Sequence, residues 1–149
     1  MDVGEICNRD VAVAYRDTPL AEAAQMMRER HVGSLVVVVD RLSERVPVGI
    51  VTDRDVTVAV IAKELDARTL TAGEVMSRDL VTLREHDSIG YALRLMRSRG
   101  VRRLPVLSHS GALAGILTMD DLLALIAEEL GDFAGTIDRE RLREIRARR

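Results

Sequence analysis

Apolar residues follow two alternating periods along this chain. Val11–Tyr15 alternates at period two, as a half-buried strand does. Thr18-Pro19 then offers a hydroxyl for an N-cap and a proline for a first helical turn. Leu20, Ala23, Ala24 and Met27 follow at i, i+3, i+4 and i+7, one stripe of a helix that ends near His31-Val32-Gly33. Leu35–Val39 is an unbroken β-branched run, typical of a strand buried on both faces. Pro47–Thr52 predicts a third strand and Asp53–Lys63 a second helix. The same order then returns. Asp87 is placed to cap, Ile89, Ala92, Leu93 and Met96 repeat the helical spacing, and Gly100 suits a helix end. Leu104–Leu107 is the next strand, and its Pro105 predicts a strand edge or start. Leu113–Thr118 and Met119–Glu129 close the set as strand and helix, with Leu122, Leu125 and Ile126 matching Val56, Ala59 and Val60.

The recurrence is in the residues as well as the pattern. A shift of 69 lays Asn8–Asp40 on Ser77–His109 without a gap and pairs Arg9 with Arg78, Ala23 with Ala92, Met27 with Met96, Arg30 with Arg99, Leu35 with Leu104 and Val37 with Val106. From Gly49 and Gly115 onward the shift becomes 66, so the first copy carries three extra residues around Arg41–Val46. A period this long, seen twice, predicts two tandem small domains of order strand, helix, strand, strand, helix. A unit of about 60 residues is marginal alone, so two would gain by burying a face against each other. Asp66–Thr69 reads as a polar linker, and Thr71–Met76 as one helical turn whose Thr71 and Glu74 form a capping box with no counterpart in the other copy. Asp138–Arg149 is mostly charged and predicts a solvated helix or a disordered tail.

Composition narrows the classes. A net charge of −2 sets up no global attraction for polyanions. The single cysteine, Cys7, excludes a disulfide framework and a cysteine-rich zinc site, and is expected to act as a small buried apolar residue. His31, His86 and His109 are scattered singly, without the clustering a metal site needs. The longest apolar run, Leu35–Val39, is too short to span a bilayer, and no secretory leader is read, so the expectation is a cytoplasmic protein. Tyr15, Tyr91 and Phe133 are the only aromatic residues, too few for a base-stacking nucleic-acid platform. The arginine-rich end is read as a mixed-sign solvated segment rather than a nucleic-acid contact.

Candidate chemistry sits at the two strand-to-helix junctions. Gly49-Ile50-Val51-Thr52-Asp53-Arg54-Asp55-Val56 matches Gly115-Ile116-Leu117-Thr118-Met119-Asp120-Asp121-Leu122, and Thr and Asp keep their places. Thr-x-x-Asp is itself a capping box, favoured by the helix dipole. The same residues also suit a ligand. A helix N-terminus with a threonine hydroxyl beside it can hold a phosphate, and an aspartate one turn on can accept two hydrogen bonds from a ribose diol. The two readings are compatible. Arg102 and Arg103 precede the middle strand of the second copy, where the first has Gly33 and Ser34, so two sites would be unlike. They are read as a solvated basic pair or as phosphate partners, which the planar guanidinium suits.

The helices followed by Val32 and Val101, the Leu-Pro-Val strand and the repeated Gly-Ile-(Val/Leu)-Thr-x-x-Asp resemble the cystathionine-β-synthase (CBS) domain family, over nearly the whole chain and twice in register. The resemblance implies an α+β fold of two β-α-β-β-α units packed as one pseudo-twofold module, here residues 6–63 and 75–130, with a linker at 64–74 and a charged tail at 131–149. It implies a regulatory, non-catalytic module with no tightly bound cofactor or metal. Such a module takes an adenosine ligand (AMP, ADP or ATP, or S-adenosylmethionine or NAD) in clefts between the units. It senses energy state, signals occupancy to an effector protein and pairs as a homodimer. Carried over by position, Asp55 and Asp121 grip ribose, and Thr52 and Thr118 reach phosphate. Arg102, Arg103 and Arg54 join them on phosphate, as basic residues do in the γ subunit of AMP-activated kinase. Val11, Ala12, Val13, Leu80, Val81 and Thr82 meet adenine. Asp53, an extra acid in the first turn, would repel phosphate on its side. Two rival readings stand beside this one: a ligand-free interaction scaffold in which the Thr/Asp pairs only cap, and a nucleotide-handling enzyme of the inosine-monophosphate dehydrogenase type. The second lacks any cysteine-centred or glycine-rich cofactor loop in this sequence.

Overall fold

The computed structural model describes residues 1–148. By contact the chain divides into two units, Met1–Leu117 and the segment from Thr118 onward. The first unit holds two three-stranded sheets. One is ordered β1 (Val13–Tyr15), β2 (Ser34–Arg41), β3 (Glu44–Thr52), and the other β4 (Leu83–Arg84), β5 (Arg103–Leu107), β6 (Leu113–Thr118, whose last residue passes into the second unit). In each sheet the first strand runs parallel to the second, and β2 pairs antiparallel with β3. The second unit is one helix, α6, Met119–Ala147.

β2 shows why an unbroken apolar run was needed. Leu35 and Val37 face a cluster that contains Leu20, Ala23 and Met27 of α2 (Leu20–Arg30). Val36 and Val38 face the opposite way, where Leu80, Leu113 and Ile116 of the second repeat pack on them. The strand is thus buried against its own helix on one side and against the other repeat on the second. In the second repeat Leu83, Ala92, Met96, Leu104, Val106 and Leu117 are buried in turn.

The two repeats also exchange their leading segments. In α1 (Val3–Ile6), the Val3 and Gly4 amides donate to the Asp87 and Glu85 carbonyls at 2.8 and 2.7 Å. In α4 (Ala72–Val75), the Ala72 and Gly73 amides donate to Thr18 and Arg16 at 2.8 and 2.9 Å. A shift of 69 relates all four bonds. Arg9 adds a one-sided stitch, donating to the Glu85 carboxylate and the Ala114 and Gly4 carbonyls. The bond to Glu85 raises the Arg9 pKa further above its ordinary range.

Several boundaries differ from the sequence expectation. α2 begins at Leu20 with Pro19 as N-cap, because the Thr18 hydroxyl is used one turn back, accepting from the Tyr15 amide at 2.9 Å. α5 (Ile89–Arg99) is capped by Ser88, because Asp87 turns back to the Arg84 amide at 2.7 Å. The Thr71–Glu74 box has a counterpart after all. Asp2 and Glu5 make the same box at the start of α1. Pro105 lies inside a central strand, tolerated where the β4 ladder, which pairs only Val106 and Leu107, has not begun. The helix after Thr52 starts as α3 (Asp53–Asp55), widens to a π turn over Val56–Val60 and tightens to 3-10 over Ile61–Lys63. The charged end is helical, since α6 runs on to Ala147.

The three extra residues of the first copy extend the β2–β3 hairpin. Its two-residue turn places Leu42 and Ser43 at φ 49° and 67°, a conformation that favours Asn-Gly, and Leu42 is fully exposed. The double substitution Leu42→Asn, Ser43→Gly is expected to stabilise the protein by about 1 kcal/mol, relieving two unfavourable backbone positions. A thermal-denaturation midpoint that fails to rise would contradict this turn geometry.

Candidate functional site

Both Thr-x-x-Asp junctions are reciprocal capping boxes. At the end of β3, Thr52 Oγ1 accepts from the Asp55 amide at 3.1 Å and Asp55 Oδ2 accepts from the Thr52 amide at 2.8 Å. In the second unit, Thr118 Oγ1 accepts from the Asp121 amide at 3.2 Å. Asp121 Oδ2 accepts from the Thr118 amide and hydroxyl at 2.8 and 2.7 Å. The extended backbone of Thr52 and Thr118 turns directly into helix, which aims the side chain back at the first free amides. Thr52, Asp55, Thr118 and Asp121 are all half-buried.

What separates Asp55 from an ordinary cap is its surroundings in the first unit. A cleft of about 310 Å³ opens beside it, at the small end of the ~300–1,000 Å³ usual for small-molecule sites. The first repeat lines it with Ile50, Thr52, Asp53, Arg54 and Asp55. The second repeat contributes Ser77, Asp79, Leu80 and Val81 on one side and Gly100, Val101, Arg102 and Arg103 on the other. The backbone that closes it is an isolated bridge, the Ser77 amide donating to the Ile50 carbonyl at 2.9 Å. The cap uses only one carboxylate oxygen of Asp55, Oδ2.

Of the residues singled out from the sequence, the cleft gathers Thr52, Arg54, Asp55, Leu80, Val81, Arg102 and Arg103. Thr82 is half-buried and outside its lining. Val11, Ala12 and Val13 are outside it too. Ala12 is buried in the core beside Leu35, and Val11 and Val13 pack against Val36, Val38 and Ile50. Thr118 and Asp121 belong to the second unit and form their own junction there.

The asymmetry between Gly33-Ser34 and Arg102-Arg103 has a steric side. A Cβ built on Gly33 would stand 2.9 Å from Arg103 Nη2 and 3.2 Å from Asp53 Oδ2. The glycine of one repeat leaves the room into which the guanidinium of the other reaches. The Arg103 and Asp53 charges are no more than about 6 Å apart, close enough to attract one another. The acid that would repel a phosphate therefore has a cation beside it. The cleft mixes three arginines with three aspartates, Asp79 being the one that sequence reading missed. Its signal was present, because a shift of 69 carries Asp10 and Arg30 onto Asp79 and Arg99. Both pairs meet in space, Arg30–Asp10 at 2.8 Å and Arg99–Asp79 at 4.0 Å.

Among the described residues no helix is long and apolar enough to cross a membrane, and no cluster of His, Cys, Asp and Glu could hold a metal ion. An uncharacterized protein of Methanopyrus kandleri is 34% identical over 140 residues, 89% of this chain and 70% of that protein. Hypoxic response protein 1 of Mycobacterium tuberculosis is 35% identical over 124 residues, 83% of this chain and 84% of that one. A crystal structure of Hypoxic Response Protein I with two coordinated zinc ions superposes with a TM-score of 0.72 at 33% identity, covering 83% of this chain and 98% of that one. A CBS domain pair solved in complex with 5′-methylthioadenosine and S-adenosyl-L-methionine superposes with a TM-score of 0.75, covering 87% of this chain and 98% of that one. At 23% identity that likeness is one of fold. The CBS domain family itself matches twice, over residues 3–62 and 72–128. The chain therefore belongs to the CBS domain family, as two CBS domains in tandem.

Proposed function

We propose that this chain is a regulatory module that binds an adenosine ligand in the cleft beside Asp55 and signals its occupancy to a partner protein. One observation carries the reading. A carboxylate that caps through one of its oxygens, a helix start and two arginines from the opposite repeat converge on one cleft with an aliphatic wall. In this arrangement Asp55 takes the ribose diol, Thr52, Arg54, Arg102 and Arg103 take phosphate, and Leu80 and Val81 lie along the base. Charge-assisted hydrogen bonds of this kind contribute about 1.5–3 kcal/mol each. Because the cleft is built from both repeats, a ligand there favours one packing of the two, and a partner that distinguishes packings feels a coupling of about 1–3 kcal/mol. The domains are residues 6–63 and 75–130, joined by 64–74 and followed by 131–149. The working form is a homodimer in the cytoplasm, and the module has no catalytic role of its own.

The rival reading, a ligand-free scaffold, draws on one observation too: every Thr/Asp pair is already satisfied as a cap. Thermal shift with AMP, ADP, ATP, S-adenosylmethionine and NAD separates the two. A ligand at about 100 times its dissociation constant is expected to stabilise the protein by about 2.7 kcal/mol. No shift with any of the five would leave the scaffold reading standing.

A further inference from the structure

α6 carries its own unpartnered face. Leu123, Ile126, Leu130, Phe133 and Ile137 follow one another at spacings of three and four along the helix, and each is between 43% and 70% exposed. That alternation is the a/d seam by which one helix packs along another. A row of five large apolar side chains left to water is not the ordinary scatter of surface residues.

The charges on the same helix have a direction. From Met119 to Phe133 it carries Asp120, Asp121, Glu128, Glu129 and Asp132 and no basic residue. From Ala134 onward it carries Arg139, Arg141, Arg143, Arg146 and Arg148 against Asp138, Glu140 and Glu144. Two copies aligned in parallel would set acid on acid and arginine on arginine. Two copies aligned antiparallel set each acidic half on a basic half. We propose that α6 is the seam of a homodimer, pairing antiparallel with α6 of a second copy of this chain. Leu130 then lies level with Phe133 of the second copy and Ile126 with Ile137, and the N-terminal turn of one α6 comes opposite the stretch Arg141–Arg143 of the other. The small Ala127 and Ala134 flank the centre and let the helices approach. This deepens only the dimer part of the proposed function, and nucleotide affinity is read separately from it.

Sedimentation velocity on the full chain tests the surface. A dimer is expected, and Leu130→Glu with Phe133→Glu should weaken it at least 100-fold while far-UV circular dichroism keeps its helical signal. Arg141→Glu with Arg143→Glu leaves every apolar residue in place and should still weaken it at least 10-fold, so the test survives if the first variant fails to fold. Direction is read by spin labels on Glu144→Cys in a Cys7→Ser background. At 1.5 Å per residue an antiparallel pair centred between Leu130 and Phe133 separates the two labels by about 40 Å, whereas a parallel pair holds them within about 20 Å. A monomeric chain, a dimer indifferent to both double variants, or the short label distance would overturn the proposal.

Discussion

Gly49→Ala and Gly115→Ala are each expected to lower stability by about 2 kcal/mol, the usual cost of forcing atoms into a packed site. For a chain of this length that lowers the thermal midpoint by roughly 4–8 °C. A Cβ on Gly49 would meet Met76 Sδ at 2.5 Å and the Ser77 carbonyl oxygen at 2.8 Å. A Cβ on Gly115 would meet Cys7 Sγ at 2.7 Å and the Asn8 carbonyl oxygen at 2.9 Å. The sulfur atoms can turn aside. The carbonyls cannot, because each crossing is a backbone bridge, Ser77 N to Ile50 O and the reciprocal pair between Asn8 and Ile116, all at 2.9 Å. The leading segment of each repeat thus passes over the glycine of the other, and a side chain there pushes the repeats apart. Gly135→Ala, in α6 with nothing within 4 Å of its Cβ, should instead raise stability by up to about 1 kcal/mol. Equal midpoints for Gly49→Ala and the unmodified chain would mean that the crossing is not tightly packed.

Those glycines show what a sequence displays and what it withholds. Their recurrence at the head of Gly-Ile-(Val/Leu)-Thr was plain, yet the cause is a segment some 30 residues downstream in one case and over 100 upstream in the other. The strands and helices were legible because β2 needs apolar residues on both faces and α2 and α5 on one, which fixes the period. Cap positions were less so. Thr18-Pro19 and Asp87-Ser88 each offer two residues able to start a helix, and only the backbone shows that Thr18 and Asp87 are spent on the turn before it. The π turn at Val56–Val60 has no such signal, and the helical course of the charged end was open between two states. At the candidate site the chemistry-bearing residues were legible singly. That Thr52 and Asp55 face Leu80, Val81, Arg102 and Arg103 of the other repeat depends on the exchange of leading segments, which no local pattern encodes.

If the proposed adenosine site is right, Asp55→Ala is expected to lower affinity by about 10- to 100-fold, the loss of one or two charge-assisted hydrogen bonds. The same substitution removes half of a capping box, which costs about 0.5–2 kcal/mol of stability with no ligand present. Affinity and stability must therefore be separated, and the protein supplies its own comparison. Glu74 caps α4 through the Thr71 amide at 2.8 Å and is absent from the lining of the cleft. Glu74→Ala should reproduce the loss of stability and leave affinity unchanged. Duplication alone is a poor guide here, since the Asp2–Glu5 and Thr71–Glu74 boxes also recur, at a shift of 69, without facing the cleft. Asp55→Asn sharpens the contrast, because the amide keeps an oxygen for the Thr52 amide but loses the charge, so stability should largely recover while affinity does not. Isothermal titration with the nucleotide that gives the largest thermal shift reads affinity, and urea denaturation of the unliganded protein reads the cap. If Asp55→Ala and Glu74→Ala change stability alike and neither changes affinity, the aspartate is a helix cap and the ribose must be sought elsewhere.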